Sequence, residues 1–220
     1  MTDLTINLYK YEEELQDEGL TLIAGVDEAG RGPLAGPVVV AACILPPTSR
    51  INGLNDSKKL SKKKRESLYK EIVKQAICYK IVFVSAQEVD ESNIYSATQE
   101  AMKEALLGLE VKPEYALIDF MPIKDIDIPT KSITHGDALS ASIAAASILA
   151  KVTRDDYMAK MDVKYPNYGF KHNMGYATKM HMEALELYGP CPIHRKTFYP
   201  VSKYFQEDEQ LSFNLFGENE

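Results

Sequence analysis

Paired cysteine spacings are missing from this chain: Cys43, Cys78 and Cys191 stand far apart. That excludes a thiolate zinc cluster, and the odd count leaves no complete disulfide framework. They read as three reduced thiols in a cytosolic protein. Long apolar runs are also missing. The least polar stretch, Ala138 to Ala150, is too short and too rich in Ser and Ala to span a bilayer, so no membrane partner is expected. The first residues carry Asp3, Glu12, Glu13 and Glu14 rather than a basic segment followed by an apolar one. No secretory signal is legible there, and a cytoplasmic location is expected. Internal repeats and low-complexity tracts are absent as well.

The chain has 220 residues, 45% hydrophobic and 26% charged, which suits one substantial α/β core. A net charge of −7 argues at first against a nucleic-acid partner, but its distribution reverses the argument. Residues 1–20 carry −5 and residues 205–220 carry another −5, so the body between them carries +3. A basic body with acidic ends is compatible with phosphate contact.

Residues 7–18 read as a short polar helix ended by Gly19. Leu22–Val26 reads as a buried strand ending at Asp27, and Val38–Leu45 as a second, with a Gly- and Pro-rich turn between them. Two adjacent apolar strands suggest an antiparallel hairpin. The spacing predicts helices over 61–77, 87–108, 138–161 and 177–188, and strands over 79–84 and 115–119. The fold class expected is α/β, with a mixed sheet flanked by helices and a helical C-terminal part. The expected division is a short helical segment over 1–20, a catalytic domain over 20–204 whose helical portion begins near 157, and an acidic, flexible tail over 205–220.

Asp27-Glu28 and Asp119 follow apolar strands, and Asp137 precedes the small-residue helix. Strand ends in a mixed sheet converge on a common crevice. Four acids meeting there would repel unless divalent cations neutralised them, and an all-oxygen donor set suits Mg²⁺. Two ions about 3.5–4 Å apart are the usual clamp for phosphodiester hydrolysis. Acids at strand ends and helix caps are also common as plain structure. Gly30-Arg31-Gly32 adds a turn whose backbone N–H groups and guanidinium can hold an anion, although a tight hairpin with a solvated Arg has the same local sequence.

The run DEAGRGPLAGPV (27–38) resembles the opening motif of bacterial ribonuclease HII. In order there follow Asn55-Asp56-Ser57-Lys58-Lys59-Leu60-Ser61, the strand ending at Asp119, Gly136-Asp137, AASILAKVTRD (145–155), Tyr168-Gly169-Phe170, Gly175-Tyr176 and Pro192-Ile193-His194-Arg195, all similar to that family. The resemblance covers roughly residues 20–200. It implies an RNase H-like fold and a site of four carboxylates, Asp27, Glu28, Asp119 and Asp137, holding two Mg²⁺ or Mn²⁺ ions. It implies that Gly30, Arg31 and Gly32 read the ribose 2′-OH and adjacent phosphate, while Tyr176 stacks near the following deoxyribose. A 2′-OH both donates and accepts, so it marks RNA at one position. The implied activity is cleavage on the 5′ side of ribonucleotides in DNA duplexes and RNA–DNA hybrids, leaving 3′-OH and 5′-phosphate ends, in ribonucleotide excision repair and primer removal.

Lys58, Lys59, Lys62, Lys63, Lys64 and Arg65 place six cations in eight positions. Such runs are often solvated faces; Lys58 and Lys59, inside the family-like segment, are the candidates for duplex contact. Thr153 and Arg154 are weighed as phosphate contacts, Asp155 as a local ion-pair partner, and His172, His181 and His194 as packing or phosphate contacts. His135, beside Asp137, is a candidate proton shuttle. In the tail, Gln210, Leu211, Phe213, Leu215 and Phe216 resemble the short peptides that bind the bacterial sliding clamp; the alternative is that they pack onto the protein's own surface. Two rival readings remain open, a ribonuclease HIII-like hybrid nuclease and a non-catalytic duplex- or clamp-binding module.

Overall fold

The computed structural model describes residues 7–206. The tail residues Gln210, Leu211, Phe213, Leu215 and Phe216 lie outside the described residues. The strands are β1 (Ile23–Ala29), β2 (Val38–Ile44), β3 (Cys78–Val84), β4 (Tyr115–Asp119) and β5 (Thr130–Ile133). The helices are α1 (Lys10–Asp17), α2 (Lys62–Gln75), α3 (Ala86–Glu91), α4 (Ile94–Leu107), α5 (Ala141–Lys164), α6 (Phe170–Asn173) and α7 (Lys179–Tyr188). Strand order is β3-β2-β1-β4-β5. β1, β2 and β3 pair antiparallel, so the expected hairpin is present, while β1–β4 and β4–β5 pair parallel.

Side chains alternate across the sheet, which makes two apolar faces. On one, Val26, Val40 and Ile118 meet Met102 and Leu106 of α4. On the other, Val39 and Ala41 meet the alanines of α5 and Leu68 and Ile72 of α2. β2 is buried along its whole length, which explains its unbroken apolar run. The small residues of α5 let it lie directly on β1: a Cβ on Gly25 would strike the backbone of Ser142. Ser140 caps α5 by accepting from the Ile143 N–H, 3.3 Å away. The polar helix α1 is attached through Glu12, which is buried and accepts from Ser140 Oγ (2.6 Å) and the Ser142 N–H (2.8 Å). Among the described residues no helix is long and apolar enough to cross a membrane.

Two expectations need correction, and one element is new. β1 does not end at Asp27 but runs on through Glu28 to Ala29. The helix expected over 87–108 is two, because Ser85 forms a capping box with Glu88 and Asn93 caps a second start by accepting from the Ser96 N–H. β5, with the sequence Thr-Lys-Ser-Ile, lacks apolar alternation and was not anticipated.

Candidate active site

Asp27 and Glu28 pair with Ala41 and Val40 of β2, so alternation sends Asp27 to the α5 face and Glu28 to the α4 face. Val26 pairs with Ile118 in the parallel ladder, which sets Asp119 level with Asp27 at the end of β4. Asp119 Oδ1 accepts from the Gly136 N–H at 2.7 Å. Gly136 has no room for a side chain, since a Cβ would lie 2.6 Å from Ile143 Cδ1 and 3.3 Å from Asp119 Oδ1. The next residue, Asp137, is buried in the 3₁₀ turn Gly136–Ala138. Asp27 Oδ1 accepts from the Glu28 N–H at 2.7 Å, and nearby Ser147 Oγ of α5 donates to Ser57 Oγ at 3.0 Å.

These acids perturb one another. Burial, then the charges of Glu28 and Asp119, push the Asp27 carboxyl well above the usual carboxylate range. Burial raises Glu28, with the Arg31 guanidinium opposing and Asp119 adding to the rise. Asp137 is raised by burial, then by Asp56 and Asp119. Lys58 Nζ stands 3.8 Å from Asp137 Oδ2. Burial would lower its pKa, but the charges of Asp137, Asp27, Asp56 and Asp119 outweigh that and raise it. Glu28 Oε2 is buried with no hydrogen-bond partner. Among the described residues no three acidic, histidine or cysteine side chains gather tightly enough to hold one ion as they stand. The donor set nonetheless fits a hard divalent cation: oxygens only, repelling one another, one of them buried and unpartnered.

Beside the acids lies the Gly30-Arg31-Gly32 turn. Gly30 has φ +99°, and a Cβ there would strike the Arg154 side chain. Arg31 Nη1 is 3.5 Å from Glu28 Oε1, and its buried Nε has no partner. A Cβ on Gly32 would lie 3.7 Å from Tyr176 Cε1, so the turn and the half-exposed Tyr176 ring face each other.

Two buried arginines set that juxtaposition. Arg195 donates to the carbonyls of Gly30 (2.6 Å), Arg31 (2.8 Å) and Gly36 (2.9 and 3.2 Å). Arg154 donates to those of Pro37 (2.9 Å), Met174 (3.0 Å) and Ala35 (3.2 Å). A planar fork of five donors suits such convergent carbonyls. Arg154 is only 1% exposed, so the expectation that it contacts phosphate is corrected. Thr153 Oγ1 is buried and unpartnered. Arg65 also turns inward, donating to Ser57 O (3.0 Å) and Leu60 O (2.5 Å), with Asp155 Oδ2 at 3.7 Å. Asp155 is a local ion-pair partner as expected, with Lys151 Nζ at 2.7 Å. Lys58 and Lys59 lie exposed in the 3₁₀ turn Ser57–Lys59, which Asp56 caps. His135 is exposed with a left-handed backbone, and His181 and His194 are buried.

Sequence reasoning missed Arg195, Ser57 and Ser147 as supports, although each stands in a family-like segment.

Fold and site together define a type 2 ribonuclease H. Its structural relatives include the ribonuclease H2 of Pyrococcus horikoshii OT3 (TM-score 0.71, 29% identity, covering 86% of this chain and 99% of that one). Another is the RNase HII of Archaeoglobus fulgidus, solved as a complex with PCNA (TM-score 0.69, 28% identity, 80% and 95% covered). The family model described as Ribonuclease HII matches residues 24–201. A curated Ribonuclease HII of Bacillus mycoides (strain KBAB4) is 54% identical over 202 residues, 92% of this chain and 78% of that protein. The chain belongs to the ribonuclease HII family, which sets aside the ribonuclease HIII alternative and makes the chain a hydrolase of the endonuclease type.

Proposed function

We propose that this enzyme cuts the phosphodiester on the 5′ side of ribonucleotides embedded in DNA duplexes and in RNA–DNA hybrids, leaving 3′-OH and 5′-phosphate ends. The observation that carries this is the facing of Gly32 and Tyr176 beside the converging acids. Asp27, Glu28, Asp119 and Asp137 would hold two Mg²⁺ or Mn²⁺ ions, which supply an activated water and charge stabilisation at the phosphate. The Gly30–Gly32 turn orients the ribose through its 2′-OH, with the Arg31 guanidinium on the adjacent phosphate. Tyr176 lies against the next sugar, where the ring favours a deoxyribose, so turn and ring together recognise an RNA–DNA junction. Lys58 and Lys59 meet the duplex backbone as point charges. Excision of misincorporated ribonucleotides and removal of RNA primers in the cytoplasm are the roles such an activity suits.

A duplex containing one ribonucleotide, incubated with Mg²⁺, Mn²⁺ or chelator, tests the reading. Cleavage immediately 5′ to the ribose, abolished by chelator, supports it; cleavage elsewhere, or none, refutes it. A clamp partner, bound through Gln210, Leu211, Phe213, Leu215 and Phe216, is part of the same proposal, and the A. fulgidus complex with PCNA supports it. Calorimetry with the bacterial clamp before and after deleting residues 206–220 decides it, because unchanged binding, or none beforehand, ends the idea.

A further inference from the structure

Behind Tyr176 two imidazoles stand nose to nose. His181, the third residue of α7, is fully buried; His194 is 3% exposed; their Nε2 atoms are 3.0 Å apart. His181 Nδ1 lies 2.8 Å from the Tyr176 carbonyl. A carbonyl only accepts, so His181 carries its proton on Nδ1, and a neutral ring then has a bare Nε2. The proton between the rings therefore belongs to His194 Nε2, which leaves His194 Nδ1 bare. At 2.9 Å from that atom is the Cys191 N–H, a donor. The Cys191 carbonyl, 3.2 Å from the same nitrogen, already accepts from the His194 backbone N–H at 2.9 Å. Each donor meets an acceptor, and the direction of every bond follows from the two ends.

We infer that His181 and His194 form a one-way hydrogen-bond relay from the Cys191 N–H to the Tyr176 carbonyl, and that this relay is what positions the Tyr176 ring for junction recognition. Both are positioning residues, since both are buried and act through the Tyr176 backbone. The same strip ties the relay to the Gly-Arg-Gly turn: Ala35 bridges His194, and Arg195, the next residue, holds Gly30 and Arg31. The surrounding rings pack against the pair, with Tyr168 5.1 Å from His194 and Phe170 5.4 Å from His181. Burial lowers the pKa of both imidazoles, consistent with two neutral rings.

The inference rests on Tyr176 as junction reader, and its test separates the two. Two amide variants of similar polarity divide the ring's functions: His181→Asn places a donor near the Nδ1 position, whereas His181→Gln places its amide near Nε2. The relay predicts that His181→Gln lowers the cleavage ratio of single-ribonucleotide duplex to long hybrid by about tenfold, one hydrogen bond's worth, while His181→Asn stays near wild type. Hydrogen exchange at residues 174–178, which needs no substrate, should quicken in the Gln variant alone. Equal behaviour of the two variants in both readouts overturns the relay. If Tyr176→Ala leaves the cleavage ratio unchanged, the junction reading fails instead, and the exchange result still judges the relay. Should the variants not fold, ¹⁵N spectra of the histidine rings in the wild-type protein decide it. Neutral His181 with Nδ1–H and neutral His194 with Nε2–H are expected; the same tautomer in both, or a charged ring, refutes the relay.

Discussion

Replacing Arg195 by Lys keeps the charge and most of the length but removes the fork. The guanidinium serves three carbonyls through four hydrogen bonds, at 2.6 Å from Gly30, 2.8 Å from Arg31, and 2.9 and 3.2 Å from Gly36. An ammonium is a single nitrogen on a flexible stem and satisfies one of these carbonyls well, leaving two buried acceptors short of a charged donor. At roughly 1.5–3 kcal/mol per bond to a charged group, offset by relaxation, the net loss is about 3 kcal/mol. For a domain of this size that lowers the melting temperature by about 6–12 °C, without unfolding the protein at room temperature. The freed Gly30–Gly32 turn also loses its register against the acids. A displacement near 1 Å costs about 100-fold in kcat/KM on the single-ribonucleotide duplex. Thermal unfolding and steady-state cleavage, run on the same preparations, give both numbers. A melting point within about 2 °C of wild type together with unchanged kcat/KM would refute the idea that Arg195 holds the turn.

The raised carboxyl of Asp27 gives a second expectation. A carboxyl whose folded pKa exceeds its unfolded value weakens the fold as pH rises from the unfolded toward the folded value. Asp27→Asn should therefore melt higher than wild type at about pH 7.5 in chelator, by a few degrees for each kcal/mol recovered, while losing metal-dependent activity. His194 has the opposite sign. Burial, then the facing His181, lowers it to about 4, so below the unfolded value near 6.5 the unfolded chain takes a proton that the folded chain refuses. Stability should drop by about 3 kcal/mol on this account as pH falls from 6.5 to 4; urea unfolding over that range should show a steeper acid-side slope in wild type than in His194→Asn, where the buried His181 still contributes. Replacing Lys58 and Lys59 by Gln should weaken binding to all duplexes alike and flatten the salt dependence by about two charges, read by titration at several ionic strengths. A loss confined to the junction substrate contradicts that assignment.

The long first motif singled out Asp27, Glu28 and the Gly-Arg-Gly turn because their spacing is local and their chemistry unusual. Helix spans were similarly legible over 61–77 and 177–188, where Ser61 caps α2 by accepting from the Lys64 N–H and Thr178 caps α7. β5 was not, because a short edge strand reading Thr-Lys-Ser-Ile is defined by its ladder to β4 rather than by alternation. Arg154 and Arg195 were illegible for a different reason. Their acceptors are backbone carbonyls 20 to 165 residues away, which any sequence can supply. An arginine beside a nuclease motif suggests phosphate, and only the burial of the side chain shows otherwise. The two histidines were expected as packing or phosphate contacts; they are buried, and the ordered bonds between them follow from distances alone.

The most direct measurement is cleavage of a duplex carrying one ribonucleotide by wild type and by Asp119→Asn, with Mg²⁺ or Mn²⁺, and with product ends mapped. The account predicts a cut immediately 5′ to the ribose by the wild type and a loss of at least about 1,000-fold in the variant, on the scale of removing a strong electrostatic contribution to the transition state. Full activity of Asp119→Asn on that duplex would contradict it.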